Sequence, residues 1–210
     1  MTLLRIDASI QGGRSASSEL ADVVLAEWSA ERPDEPVVRR HLGADPLPAD
    51  AWANAVSAAY LPAEQRTEAQ VAALALAAEL AAELRAADAV VLALPLYNFG
   101  VSQHAKIWID LAVAGGNRGE KLLDGTPTVL LTTRGGAYGA GTPREGWDHS
   151  TAYLRRIVAD VWGADLTLVE REFTLVGVNP ALDQFADVAA TMRQAAHEHS
   201  ARAGKALAAR

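Results

Sequence analysis

Short apolar runs separate longer amphipathic stretches along this chain. Residues 3–8, 88–94 and 128–132 are almost continuously apolar, which is typical of strands covered on both faces in the middle of a parallel sheet. Residues 37–42 are more polar and predict an edge strand, and residues 166–171 add a fifth strand. Strands of this kind predict a parallel sheet with a buried centre.

Helical periodicity fills the intervals between these strands. Alternation of strands and helices indicates a parallel sheet with helices on both of its faces. We therefore predict an α/β fold, a three-layer, doubly wound, five-stranded parallel sheet of order 2-1-3-4-5, in which ligands bind at the carboxyl ends of the strands. No linker interrupts the pattern, so residues 1–210 are predicted to form a single domain. The predicted helices cover residues 17–30, 49–59, 67–86, 103–114, 151–161 and 180–209.

Composition narrows the function of this domain by exclusion. The formal net charge is −7, whereas proteins that bind nucleic acids without sequence preference are usually basic. The chain has no cysteine, which removes thiolate catalysis, disulfides and iron–sulfur clusters. No carboxylates are paired at a metal-binding spacing, so no metal site is predicted. The N-terminal residues read as a strand rather than a signal peptide, and no apolar run reaches the roughly 18 residues of a membrane span. These features predict a cytoplasmic protein that binds neither nucleic acid nor membrane.

The first loop with unusual chemistry follows the first predicted strand. Ser9 opens it, and Ser15 and Ser17 stand at the start of the next helix, preceded by Arg14. Free backbone N–H groups and the positive end of the helix dipole favour an anion at such a position. The alternative is that Ser15 or Ser17 only caps the helix. The loop has neither the Gly-Lys-Ser/Thr of a Walker A motif nor the Gly-x-Gly-x-x-Gly dinucleotide fingerprint.

A second loop, residues 95–100, follows the third predicted strand. It carries Tyr97, Asn98 and Phe99 between a proline and a glycine. A planar ring system could lie on such a loop, with apolar side chains behind it and polar groups at its edge. The alternative is an ordinary β-turn whose aromatic side chains pack into the core.

A third loop, residues 133–136, follows the fourth predicted strand with the sequence Thr-Arg-Gly-Gly. Paired glycines allow the backbone to approach a ligand closely, and Arg134 is a candidate partner for a carbonyl oxygen. The alternative is a flexible exit from the strand. The three loops open on one sheet edge and form a cup with a phosphate end and a flat-ring end. The cup holds no nucleophile–base pair, which indicates that a cofactor performs the chemistry.

Three motifs in these loops carry a family resemblance. They are Ser9 with Ser15-x-Ser17, Pro-x-Tyr-Asn-Phe at 95–99 followed by Lys106-x-x-x-Asp110-Leu111, and Arg-Gly-Gly at 134–136. In these motifs the chain resembles the FMN-dependent NADH-azoreductases, flavodoxin-like homodimeric flavoproteins that also reduce quinones. The resemblance implies a flavodoxin-like fold, FMN as cofactor, NADH or NADPH as electron donor, a homodimer with the flavin near its interface, and a small-molecule acceptor. It also implies ping-pong hydride transfer through flavin N5 to a quinone, azo, nitro or related acceptor.

The same resemblance implies which residues hold the flavin. No side chain is assigned as a catalytic acid or base, because the flavin performs the chemistry. Tyr138 and His149, in the loop of residues 137–150, are candidates for lid contacts with the acceptor; the alternative is that this loop lies on the surface. The residues expected at the phosphate are Ser9, Ser15, Ala16 and Ser17, and those expected at the ring are Pro95, Leu96, Tyr97, Asn98, Phe99, Thr133, Arg134, Gly135 and Gly136.

The chain departs from the family pattern at several positions. Leu96 replaces a frequent methionine and Thr133 a frequent serine, both mild changes. Residues 115–119 contain no aromatic side chain where the family has an aromatic-rich segment, and Asp160 stands where the family tends to have phenylalanine. We therefore expect altered walls of the substrate pocket, and the acceptor could be one metabolite of a biosynthetic pathway. Two alternatives remain open at this point: a flavodoxin-type electron carrier, and a binding protein that has lost its cofactor.

Overall fold

Seven strands are present in the computed structural model, which describes residues 1–210. Five of them form one parallel sheet, and a short pair forms a separate antiparallel hairpin. In chain order they are β1 (Leu3–Asp7), β2 (Val37–His41), β3 (Ala89–Ala93), β4 (Leu96–Tyr97), β5 (Gly100–Val101), β6 (Pro127–Thr133) and β7 (Asp165–Arg171). The sheet order β2-β1-β3-β6-β7 is the predicted order 2-1-3-4-5, so the predicted fold is confirmed. The β4–β5 hairpin was not predicted, because two-residue strands are too short to show a period.

Six α-helices flank the sheet close to their predicted positions. The fifth continues into a π-helical turn over Arg156–Val161. The last predicted helix begins later than expected, because Pro180–Phe185 forms a 3₁₀ turn capped by the Asn179 side chain. The helices are α1 (Ala16–Glu31), α2 (Ala51–Ala58), α3 (Glu68–Ala86), α4 (Gln103–Gly115), α5 (Thr151–Arg155) and α6 (Ala186–Ala208).

Two hydrophobic cores lie on opposite faces of the sheet. Leu3 of β1 belongs to the core under α1 and α6, and the adjacent Leu4 belongs to the core under α2, α3 and α4. This alternation follows from the two-residue period of a strand. Trp28 anchors the first core, whereas Trp108 and Trp162 pack edge to face in the second with ring centroids 5.5 Å apart. A sheet buried on both faces explains the apolar runs in the sequence.

A buried polar cluster joins β1 to the first turns of α1. Arg5 and Asp7 are each less than a tenth exposed, and Arg5 Nε donates to Asp7 Oδ2 over 2.6 Å. The Ser18 hydroxyl donates to Asp7 Oδ1 over 2.7 Å, and Arg5 Nη1 donates to Asp22 Oδ1 over 2.5 Å. We name Arg5, Asp7, Ser18 and Asp22 the β1–α1 network. It fixes the direction in which α1 leaves the strand, and so the position of the loop between them.

The loop after β1 is also held from the side of β2. A Cβ atom added to Gly43 would lie 2.2 Å from the Ser9 carbonyl oxygen, so only glycine permits this approach.

No helix of the protein combines the length and apolar character needed to cross a bilayer.

Candidate cofactor site

A cleft of about 380 Å³ opens where β1, β3 and β6 end. This volume lies within the range of about 300–1,000 Å³ that is typical of small-molecule sites. Parallel strands present their carboxyl ends at one sheet edge, so the loops after these strands meet there. The lining residues are Ser9, Gln11, Arg14, Ser15, Ala16, Ser17, Pro95, Leu96, Tyr97, Asn98, Thr133, Gly135, Tyr138, Arg144, Thr174, Leu175 and Val178.

The first loop brings the start of α1 to one end of this cleft. Ser15 is the N-cap, and its hydroxyl accepts from the Ser18 amide over 3.1 Å. The Ser15 and Ser17 hydroxyls lie 3.2 Å apart. The amides of Ala16 and Ser17 donate to no group of the protein. Capping therefore uses one of the free donors of the helix, and two others remain available to an anion.

The second loop forms the β4–β5 hairpin beside this end. The Tyr97 hydroxyl lies 3.1 Å from Ser9 Oγ and accepts from the Ile10 amide over 3.2 Å, which ties the hairpin to the first loop. Asn98 and Phe99 have φ angles of 48° and 69°. Positive φ at both central residues is the requirement of the tightest two-residue hairpin turns. The loop is thus a specific turn that presents Leu96, Tyr97 and Asn98 to the cleft.

The Phe99 ring lies against the loop of residues 137–150, which we name the lid loop. Its centroid is 5.4 Å from that of Trp147, in an edge-on arrangement, and 6.3 Å from that of Tyr138. The Phe99 carbonyl accepts from the His149 amide over 2.9 Å. Phe99 therefore connects the hairpin to the lid loop and does not line the cleft.

In the third loop, Thr133 and Gly135 reach the cleft and Arg134 turns away from it. Arg134 Nε donates to Asp148 Oδ2 over 2.6 Å, and its Nη2 donates to Glu170 Oε1 over 2.5 Å. Burial opposes the charge of Arg134, but these two carboxylates still raise its pKa. The guanidinium is thus paired with carboxylates of the protein and directed away from the cleft, and its predicted role at a flavin carbonyl has no support in its placement.

Asp148 closes the far end of the lid loop. Its Oδ1 accepts from the amides of Ser150 and Thr151, each over 2.8 Å, in addition to the Arg134 contact. Burial alone would raise the pKa of Asp148, but the hydrogen bonds from Thr151, Ser150 and Arg134 outweigh it and lower the pKa. A lowered pKa means that the contribution of the carboxylate to stability is present above the ordinary aspartate value of about 4 and is lost only below it. Asp148 therefore fastens the lid loop at neutral pH.

Substitution of Asp148 by asparagine is expected to loosen the lid loop. Charge-assisted hydrogen bonds of this kind contribute about 1.5–3 kcal/mol, so trypsin should cut after Arg144 about tenfold faster than in the wild type. The matched control is Asp183→Asn, which makes the same exchange at an exposed carboxylate that accepts from the Gly177 amide outside the lid loop. Equal cutting rates for Asp148→Asn and the wild type would contradict this role of Asp148.

Most of the predicted flavin-binding residues come together in the structure. Tyr138 lines the cleft, and His149 does not. Sequence reasoning missed Thr174, Leu175 and Val178, which follow β7; the end of the fifth strand at the same sheet edge was the signal that could have found them. The residues that line the cleft are Ser9, Ser15, Ala16, Ser17, Pro95, Leu96, Tyr97, Asn98, Thr133 and Gly135; those that do not are Phe99, Arg134 and Gly136.

This doubly wound sheet, with a loop after its first strand that leaves helix N-terminal amides unpaired, defines a protein of the flavodoxin-like class. A family model described as a flavodoxin-like fold matches residues 1–200. An FMN-dependent NADH:quinone oxidoreductase of Frankia alni is 40% identical over 191 residues, covering 89% of this chain and 90% of the relative. One of Streptomyces avermitilis is 36% identical over 212 residues, covering 99% and 97%. The chain belongs to this family of flavodoxin-like FMN-dependent oxidoreductases, which confirms both the resemblance and the predicted enzyme class.

Solved structures agree on the fold. The crystal structure of azoreductase AzrA superposes with a TM-score of 0.77 at 23% identity, covering 98% of this chain and 99% of the other. An FMN-dependent NADH-azoreductase from Bacillus anthracis in complex with FMN superposes with a TM-score of 0.68 at 19% identity, covering 97% and 99%. At these identities the likeness concerns the arrangement of strands and helices.

Proposed function

We propose that residues 1–210 form a single FMN-binding domain that transfers a hydride from NADH or NADPH to a quinone, azo, nitro or related acceptor. The observation that carries the proposal is the convergence of the first, second and third loops on one cleft, with unpaired amides at one end. The Frankia and Streptomyces relatives are FMN-dependent NADH:quinone oxidoreductases, which favours NADH as donor and a quinone as acceptor.

The first end of the cleft suits the phosphate of FMN. It offers the Ala16 and Ser17 amides, the hydroxyls of Ser9, Ser15 and Ser17, and the guanidinium of Arg14. No carboxylate lines the cleft to repel an anion. Neutral donors at a helix N-terminus suit the terminal phosphate of a mononucleotide, which needs no P-loop lysine. We propose that these residues hold the phosphate.

The rest of the cleft suits a flat ring. Leu96, Tyr97 and Asn98 border it from the hairpin, and Thr133 and Gly135 border it from the third loop. A Cβ atom on Gly135 would lie 2.6 Å from Leu175 Cδ1, so a side chain there would disturb this wall. We propose that these residues position the isoalloxazine ring. When bound, FMN supplies hydride transfer between the nicotinamide and the acceptor through its N5 atom.

The protein's own groups position the reactants and exclude water. No His, Asp, Glu or Lys side chain lines the cleft, so none is assigned as a proton donor or acceptor. Tyr138, on the lid loop, borders the cleft and restricts access to it. Because one cleft admits donor and acceptor in turn, we propose ping-pong kinetics.

We further propose a homodimer with the flavin near its interface. Trp52, Val56 and Tyr60 are exposed and spaced four residues apart on α2 and just beyond it, which places them on one side of the helix. Exposed apolar stripes of this kind are typical of interfaces. Asp160 pairs with Arg156 on the surface over 2.8 Å, and neither it nor residues 115–119 line the cleft of a single chain.

A spectroscopic titration tests the proposed function. Purified protein reconstituted with FMN should show flavin absorbance. NADH added without oxygen should bleach this absorbance at a rate no slower than kcat. A naphthoquinone should then restore the absorbance. Double-reciprocal plots of the initial rate against NADH concentration, at several fixed quinone concentrations, should give parallel lines, as ping-pong kinetics requires. A protein that binds no FMN contradicts the proposal. Bound FMN that NADH does not reduce, but that exchanges single electrons with a reductase, would indicate an electron carrier instead.

A further inference from the structure

The cleft is positively charged although the protein is acidic. Arg14 and Arg144 are the only Asp, Glu, Lys or Arg residues that line it, while the whole chain has a net charge of −7. Neither guanidinium takes part in a salt bridge or a hydrogen bond within the protein. Arg134, by contrast, forms salt bridges with Asp148 and Glu170. Two unpaired cations without a lining carboxylate form a site for more than one anionic group.

The two arginines belong to different ends of the cleft. Arg14 immediately precedes the N-cap of α1, at the proposed phosphate end. Arg144 comes from the lid loop: its guanidinium carbon lies 5.7 Å from the centroid of the Tyr138 ring, and its Nη1 lies 2.9 Å from the place of a Cβ on Gly136. Arg144 is therefore beside the third loop, at the proposed ring end.

The acidic groups near Arg144 are occupied elsewhere. Glu145 Oε2 accepts from the Gly141 amide over 2.7 Å, and Glu172 Oε1 accepts from the Tyr138 amide over 3.0 Å. Neither carboxylate forms an ion pair with Arg144, so the donors of its guanidinium remain free toward the cleft. An exposed guanidinium keeps its donors available and can bind a carboxylate or sulfonate through two parallel hydrogen bonds.

We propose that Arg144 is a specificity-determining residue that selects anionic aromatic acceptors, such as quinones bearing a sulfonate, a carboxylate or an ionised hydroxyl. The inference rests on the proposed function, because it assigns the acceptor class of the same cleft. The aromatic body of the acceptor would lie along Tyr138, and its anionic group would pair with Arg144. FMN phosphate, held at the other end, leaves this cation free for the second ligand.

The test compares two naphthoquinones with the FMN-reconstituted protein. One is anionic, 1,4-naphthoquinone-2-sulfonate, and the other is neutral, 2-methyl-1,4-naphthoquinone. In Arg144→Gln, kcat/KM for the sulfonate should fall about 10- to 100-fold, as expected for loss of a charge-assisted pair, and kcat/KM for the neutral quinone should change less than about threefold. In the wild type, added salt should lower the rate with the sulfonate more than the rate with the neutral quinone.

The matched control is Arg39→Gln, which removes an exposed, unpaired arginine of β2 outside the cleft. It should leave both values unchanged. Equal losses of kcat/KM for both quinones in Arg144→Gln overturn the inference. A tenfold weaker FMN affinity in this variant also overturns it, because Arg144 would then bind the cofactor. A rise confined to the KM for NADH overturns it as well, because Arg144 would then bind the electron donor. In these cases the wild type still reduces the neutral quinone, so the proposed function survives. A wild type that reduces neither quinone overturns both.

Discussion

Substitution of Ser15 by aspartate is expected to weaken FMN binding by about 100-fold while leaving the fold intact. Aspartate is as good an N-cap as serine, so the cap on the Ser18 amide is kept. Its carboxylate, however, would face the proposed phosphate position. Two like charges about 4 Å apart repel by about 4 kcal/mol at the effective dielectric of a protein surface, and screening leaves about 3 kcal/mol. Quenching of flavin fluorescence measures the affinity.

Thr67→Asp is the matched control for this experiment. Thr67 caps α3 through the Gln70 amide, is exposed, and lies outside the cleft, so the same new charge there should not change FMN affinity. Riboflavin, which lacks the phosphate, gives a second comparison, and its affinity for Ser15→Asp should fall much less. An FMN affinity within threefold of the wild type would place the phosphate away from the start of α1.

Loss of the Asp7 carboxylate is expected to cost the folded state about 3–5 kcal/mol. Asp7→Ala leaves the buried Arg5 guanidinium without its buried partner, which accepts two of its hydrogen bonds, and the Ser18 hydroxyl without an acceptor. Because the β1–α1 network sets the direction of α1, FMN affinity should fall as well. Urea unfolding measures the change in the free energy of unfolding.

Asp22→Ala provides the comparison within the same network. The Asp22 side chain is 68% exposed, so removal of its contact with Arg5 should cost at most about 1 kcal/mol. If the two substitutions proved equally mild, the buried pair would not be what fixes β1 to α1.

The sequence predicted the sheet and most of the cleft because both depend on local patterns. Continuous apolar runs placed β1, β3 and β6, and parallel topology brought their carboxyl-terminal loops together. Ser15, Tyr97 and Gly135 followed from that geometry, since loops after these strands share one edge. Residue types at strand ends therefore carried most of the information about the site.

The direction of individual side chains could not be predicted in this way. Arg134 was expected in the cleft, but Asp148 and Glu170, 14 and 36 residues further along the chain, turn it away. Phe99 leaves the cleft because the Asn98–Phe99 turn directs its ring toward the lid loop. These outcomes depend on partners distant in sequence, which a single-sequence pattern does not reveal.

Phe99 also makes the hairpin and the lid loop parts of one equilibrium. A phenylalanine with φ of 69° occupies a sparsely populated conformation, which costs on the order of 1–3 kcal/mol unless neighbouring contacts offset it. Those contacts are the Trp147 ring and the His149 amide, both on the lid loop. Release of the lid would remove them and favour relaxation of the turn that carries Tyr97 and Asn98. Opening of the lid loop and the conformation of the hairpin are thereby thermodynamically linked. If the hairpin holds the ring as proposed, an open entrance and a firmly held flavin oppose each other.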